Sequence, residues 1–104
     1  MNRIIFVTDD TYNFIKSFDN KISSRIFSLL ELLNETGLYL GSKKLKKVTN
    51  EIYELRINSK VQVRIFCCFK NELIYVLHGF IKKTQKIPKT ELQTAIQRLK
   101  LATW

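Results

Sequence analysis

Three stretches between Tyr53 and Lys86 alternate apolar and polar residues with a period close to two: YELRI, VQVRIFCCF and ELIYVLHGFIKK. The breaks between them are three and two residues long, Asn58-Ser59-Lys60 and Lys70-Asn71. Breaks that short admit only hairpins, so the runs must be neighbouring antiparallel strands of one sheet. Their polar positions hold arginine and lysine where a half-buried sheet ordinarily shows Thr, Ser or Gln. Cations planted on a rigid sheet suit a surface that holds phosphate.

With Asn58-Ser59-Lys60 as the first loop, Ile57 opposes Val61 and Glu54 opposes Arg64, which puts Glu54, Arg56, Gln62 and Arg64 on a common face. With Lys70-Asn71 as the second, Phe69 opposes Glu72. Alternation then brings Tyr75, Leu77 and Lys83 to the Arg64 face and leaves His78 beside Val63 on the other. Two arginines from adjacent strands converge.

The rest of the chain supplies cover for this sheet. Arg3 to Thr8 is a β-branched and aromatic run closed by Asp9-Asp10, and it predicts a strand leading into a helix. Phe14, Ile15 and Phe18 recur at helical spacing, Asp19-Asn20 interrupts, and Ile22, Ile26, Leu29, Leu30 and Leu33 resume it until Gly37. That pattern predicts a helical hairpin. Lys43 to Thr49 is either a solvated basic loop or an edge strand kept from aggregating by its lysines, and we favour the strand. Pro88 suits the start of a last helix whose stripe is Leu92, Ala95, Ile96, Leu99 and Ala102, with Lys89, Gln93, Gln97, Arg98 and Lys100 toward solvent. The expected architecture is α+β: an antiparallel-rich sheet with the helical hairpin and the C-terminal helix on one face and the cations on the other.

Charge narrows the function. The 104 residues fit one domain spanning 1–104, and the formal charge is +9. Residues 1–42 hold four cations against five acids, so the surplus of +10 belongs to residues 43–104. A surplus concentrated on the strands and tail points to a polyanionic or acidic partner. Cys67 and Cys68 are the only cysteines. As strand neighbours they face opposite ways, so packing is their role, and a reducing cytoplasm suits them. With a single histidine and no paired Cys/His spacing, no metal site and no cofactor is expected. No apolar stretch approaches a membrane span, and MNRIIFVTDD turns acidic too early for an export signal.

Tyr53-Glu54-Leu55-Arg56, Val63-Arg64-Ile65, and Leu77-His78-Gly79-Phe80 followed by Lys82-Lys83-Thr84-Gln85-Lys86 and Pro88 resemble the HigB-type branch of the RelE/ParE toxin superfamily, phage-derived members included. The similarity spans nearly the whole chain, taking in Gly37, Lys44-x-Lys46 and the helix from Glu91 to Arg98. It implies a RelE-like fold and a type II toxin that cleaves messenger RNA on the ribosome, inhibits translation and is silenced by a cognate antitoxin of helix-turn-helix type. It also implies that Arg56, Arg64, Lys82 and Lys83 are the catalytic positions. Two departures stand out: Glu54 replaces a basic residue found in some relatives, and the tyrosine that others carry near the last helix has no counterpart between Pro88 and Arg98.

Cleaving RNA without a metal requires in-line attack by the 2′-hydroxyl, a base, an acid and positive charge around the pentacovalent phosphorus. Arg64 is the first choice for the phosphate, because its planar fork binds oxygen pairs and a central strand holds it still. Arg56 is second, with a structural ion pair to Glu54 as its alternative role. Lys82 and Lys83 are candidates for proton transfer, since crowding by like charge eases loss of a lysine's proton; a solvated basic loop is the plainer reading. His78 suits acid–base work by its type but falls on the covered side, and Glu54 is a second possible base. Phe66, Tyr75 and Phe80 are either base-stacking or core residues. Lys43, Lys44, Lys46 and Lys47 would anchor RNA phosphates. Two further readings share the sequence: a ParE-like gyrase inhibitor, and an RNA-binding module without enzymatic activity.

Overall fold

A computed structural model describes residues 3–102; Met1 and Asn2 of the MNRIIFVTDD stretch, and the last two residues, lie outside them. The order is β1 (Ile4–Phe6), α1 (Asp9–Lys16), α2 (Asn20–Thr36), a 3-10 turn (Gly37–Leu40), β2 (Leu45–Lys47), β3 (Tyr53–Asn58), β4 (Gln62–Lys70), β5 (Leu73–Ile81) and α3 (Lys89–Ala102). The strands form one mixed sheet in the order β1-β5-β4-β3-β2. β1 joins β5 in parallel, and every other pairing is antiparallel. The helical hairpin forms as its sequence dictates: Asp19 caps α2 by accepting from the Ile22 amide at 2.9 Å, and Gly37 ends it at φ +57°. No helix among the described residues is long and apolar enough to cross a membrane.

The helices do not share one face. α1 and α2 cover Leu55, Ile57, Val63, Ile65, Cys67 and Val76, whereas α3 lies across Phe66, Cys68, Leu77 and Phe80. The reason lies in β4, which is buried at every position from Val63 to Cys68. A strand apolar on both sides needs cover on both sides. The cation-bearing face therefore carries a helix over part of its area, and a cleft opens at the end of the sheet where β5 finishes and β4 starts.

Both hairpins are shifted from the expected register. Ile57 opposes Val63, and Arg56, not Glu54, opposes Arg64. The shift is an even number of residues, so Glu54, Arg56, Gln62 and Arg64 keep their common face. The β4–β5 turn is Asn71-Glu72, both at positive φ (53° and 65°), the conformation that matches the twist of a two-residue hairpin. A bulge then intervenes: Val76 opposes Cys67 but His78 opposes Phe66, leaving Leu77 unopposed. Tyr75 and Leu77 pack in the α3-side cluster as alternation requires. Beyond the bulge the parity inverts, so His78 and Phe80 lie on the Arg64 face and Lys82, rather than Lys83, continues it.

Arg98 does not point to solvent. Its guanidinium reaches from α3 to Asp10 (2.7 Å), the Leu77 carbonyl (3.0 Å), the Thr11 hydroxyl (3.3 Å) and His78 Nδ1 (3.3 Å). One side chain thus pins the last helix to β5 and to the start of α1. The Thr8 hydroxyl and then Arg98 hold the Asp10 carboxyl below its usual range, against the opposing effect of burial.

Gly79 is required where α1 meets β5, because a Cβ there would come within 2.8 Å of Phe14 Cδ2 and 2.9 Å of Ile65 Cδ1. Gly79→Ala is therefore expected to lower stability by about 1–3 kcal/mol through overpacking, read as a fall in the urea midpoint with an unchanged slope. Burial pushes the Cys67 thiol up to about 12 and the Cys68 thiol to about 11. Both stay protonated at pH 8, so iodoacetamide should alkylate the native chain about a hundredfold or more slowly than the urea-unfolded chain; equal rates would refute the buried assignment.

Candidate nucleic-acid interface

Three rows of residues cross the cation-bearing face. Lys46, Glu54, Phe66 and His78 form the first, and Arg56, Arg64 and Phe80 the second. Asn58 and Gln62 form the third, extended to β5 by the Lys82 amide donating to the Gln62 carbonyl at 2.7 Å. α3 covers much of the first row. The second and third rows come to the open end.

Arg64 is the best-held cation of the site. Its side chain is 7% exposed, and Nη1 donates to Asn58 Oδ1 at 3.1 Å and to the Val63 carbonyl at 3.0 Å, while the buried Nε has no partner. Burial lowers the guanidinium's pKa, Glu54 opposes that and Arg56 adds to it; an arginine remains charged under any such shift. What reaches Arg64 is a cleft of about 410 Å³ lined by Gln62, Arg64, Lys82, Lys83, Thr84 and Gln85, with no carboxylate among them. Lys82 is half-buried and Lys83 exposed, so the structure brings Arg64, Lys82 and Lys83 to one opening.

Arg56 is committed differently. Its Nε donates to Glu54 Oε1 at 3.1 Å, the ion pair weighed as its alternative role, and its side chain remains 27% exposed. Glu54 is 1% exposed, and its other oxygen, Oε2, is buried without a partner. At that depth Glu54 positions Arg56 and does not itself face solvent.

His78 is on the Arg64 face, contrary to the unbulged register, yet both ring nitrogens are engaged. Nε2 lies 2.8 Å from Glu91 Oε1, and Nδ1 faces Arg98 Nη1. Arginine only donates, so Nδ1 must be the acceptor and Nε2 must carry the proton shared with Glu91. The ring also stacks on Phe80, with centroids 6.1 Å apart. This arrangement suits a histidine that fastens α3 to the sheet. Phe66 and Phe80 are buried core, their rings 5.3 Å apart, and only Tyr75 keeps partial exposure.

The lysine stripe divides. Lys46 opposes Glu54 and so shares the Arg64 face, whereas Lys47 opposes Tyr53 on the other side. Lys43 and Lys44, in the turn before β2, line a groove of about 350 Å³ with Arg56, Asn58 and, from α2, Arg25, Ser28, Leu29 and Leu32. Arg25 was not singled out from the sequence. Its signal was a cation at i in a set i, i+3, i+4, i+7 (Arg25, Ser28, Leu29, Leu32), the face of α2 that looks along the sheet edge. Among the described residues, no group of three or more His, Cys, Asp or Glu side chains could hold a metal ion.

The family described as phage-derived protein Gp49-like (DUF891) matches residues 13–100, from α1 through nearly all of α3. No curated protein matches the chain. The match takes in Arg56, Arg64 and the Lys82-Lys83 opening together with the two helical covers that leave it exposed, and the chain belongs to the phage-derived Gp49-like family.

Proposed function

We propose that this chain is a HigB-type toxin of the RelE/ParE superfamily and of a type II toxin–antitoxin system: a ribosome-dependent endoribonuclease that cuts messenger RNA and stops translation. The observation that carries the reading is the pairing of Arg56 and Arg64 on adjacent strands, with Arg64 lining a cleft that holds Lys82 and Lys83 and no carboxylate. Membership of the Gp49-like family, one associated with RelE- and toxin-like proteins, supports it. So does the surplus of +10 in residues 43–104.

In this reading the scissile phosphate enters the cleft beside Lys82 and Lys83. Arg64 stabilises the charge that grows on the phosphoryl oxygens as the 2′-hydroxyl attacks in line. Arg56, held by Glu54, supplies a second guanidinium. Of Lys82 and Lys83, one takes the proton of the attacking 2′-hydroxyl and the other gives a proton to the leaving 5′-oxygen, roles that the engaged ring nitrogens of His78 do not suit. The protein itself offers little to fix the in-line geometry, and codon positioning on the ribosome provides it. The partner is an antitoxin, expected to be of helix-turn-helix type, whose acidic surface masks the cationic end.

Arg64→Ala is expected to reduce transcript cleavage by about 10²–10³-fold and to abolish growth arrest, with Arg64→Lys as the variant that retains charge without the fork. Primer extension after induction, alongside thermal melting of both variants, makes the check; a folded Arg64→Ala protein that still cuts transcripts sinks the assignment. Lys82→Ala combined with Lys83→Ala should lower cleavage without moving the melting temperature by more than a few degrees, since both side chains lie at the surface opening. Induction of a DNA-damage response with messages left intact would instead favour gyrase as the target.

A further inference from the structure

We infer that the groove at the outer edge of β3, built by Arg25 of α2 with Lys43, Lys44 and Arg56, is a second phosphate subsite, so that single-stranded RNA crosses the open end of the sheet from the Lys82-Lys83 loop to α2. It rests on the proposed RNA substrate and names where the flanking nucleotides go.

Three observations carry it. The groove presents four cations and no carboxylate, with the Ser28 hydroxyl and the Asn58 amide as neutral hydrogen-bonding groups. It adjoins the site through two of its own lining residues: Arg56 is the cross-strand partner of Arg64, and Asn58 accepts the Arg64 Nη1 hydrogen bond at 3.1 Å. The outer edge of β3 is paired as far as Arg56, whose amide donates to the Lys44 carbonyl at 2.8 Å, and β2 does not reach Ile57 and Asn58, where the mouth of the groove lies. Cleft and groove therefore flank one arginine pair, and a chain bound to both must pass that pair.

Neighbouring strands lie about 4.8 Å apart. The distance from the end of β5 across β4 to the outer edge of β3 is then on the order of 10 Å, within reach of a short run of nucleotides. Arg56 lines the groove and stands opposite Arg64, which lines the cleft. Its Nε is taken by Glu54, which leaves the two Nη groups to meet phosphate. Leu32, 38% exposed, and the half-buried Leu29 form an apolar wall on which a base or ribose can rest.

The test is fluorescence anisotropy of a labelled oligouridylate bound to the purified chain over a range of KCl concentrations. Arg25→Ala and Lys44→Ala should each weaken binding about three- to tenfold at low salt. Each should also make the plot of log K against log salt shallower by about 0.7, the increment for one phosphate contact on a single strand. Lys70→Ala removes the same charge on the order of 20 Å away at the far end of β4, and should change neither. Equal effects from all three variants mean a diffuse field without a subsite, and overturn the inference. So does a result in which Arg25→Ala and Lys44→Ala spare oligouridylate but weaken binding of a polyglutamate peptide, since the groove would then belong to an acidic protein chain. These slopes involve no chemistry: Arg64→Ala that still cuts transcripts would remove the nuclease assignment and leave them standing, while unchanged slopes beside an inactive Arg64→Ala would remove only the subsite.

Discussion

Burial of β4 on both sides governs the remainder of the molecule. From Val63 to Cys68 the strand offers no polar position except Arg64, and both sheet faces must be covered to keep that apolar surface from water. The helical hairpin takes one face and α3 the other. Two covers of limited length leave the end of the sheet beside Arg64 open, and polar groups that cannot be buried cheaply collect there. Arg64 is the point where the strand's core and that end meet, which explains a guanidinium that is at once nearly buried and adjacent to a cleft.

Much of this was legible in the residues. The element order, the helical hairpin with its break at Asp19-Asn20 and stop at Gly37, and the common face of Glu54, Arg56, Gln62 and Arg64 all follow from local pattern, the last because parity survives an even shift in register. The bulge was not legible. It inserts Leu77 into the ladder and reverses the parity of everything after it, so His78 and Lys82 changed sides relative to simple alternation. The placement of α3 was in principle readable from IFCCF, an unbroken apolar run that a half-buried strand would not have. Reading it as alternating put all helices on one face.

The site shows a similar division. Arg64, Lys82 and Lys83 line one opening, where simple alternation put only Lys83 with Arg64, and in the lysine stripe Lys46 and Lys47 part company because a strand sends successive side chains to opposite faces. Arg25 joins the cationic end only through the packing angle of α2 against the sheet edge, a tertiary relation that spacing along the chain does not encode. His78 is held by Glu91 and Arg98, both distant in sequence. Its engagement with α3 became visible only once the last helix was in place.

The parallel pairing of β1 with β5 sets Ile4 opposite Ile74. The first strand therefore has no partner until Ile74 to Val76 have been made, and α1, whose seat includes Gly79 and Ile65, waits equally long. During synthesis the amino-terminal half can form its helices and pair them through Tyr12 and Phe27 but has no sheet beneath them, since closure of such a long loop must await the carboxy-terminal strands. Arg64 is likewise translated before β5 and α3 exist to complete its surroundings. A ribosome making this chain thus carries an unfinished sheet until β5 has been made, and the assembled cationic end comes into being only after α3 follows it.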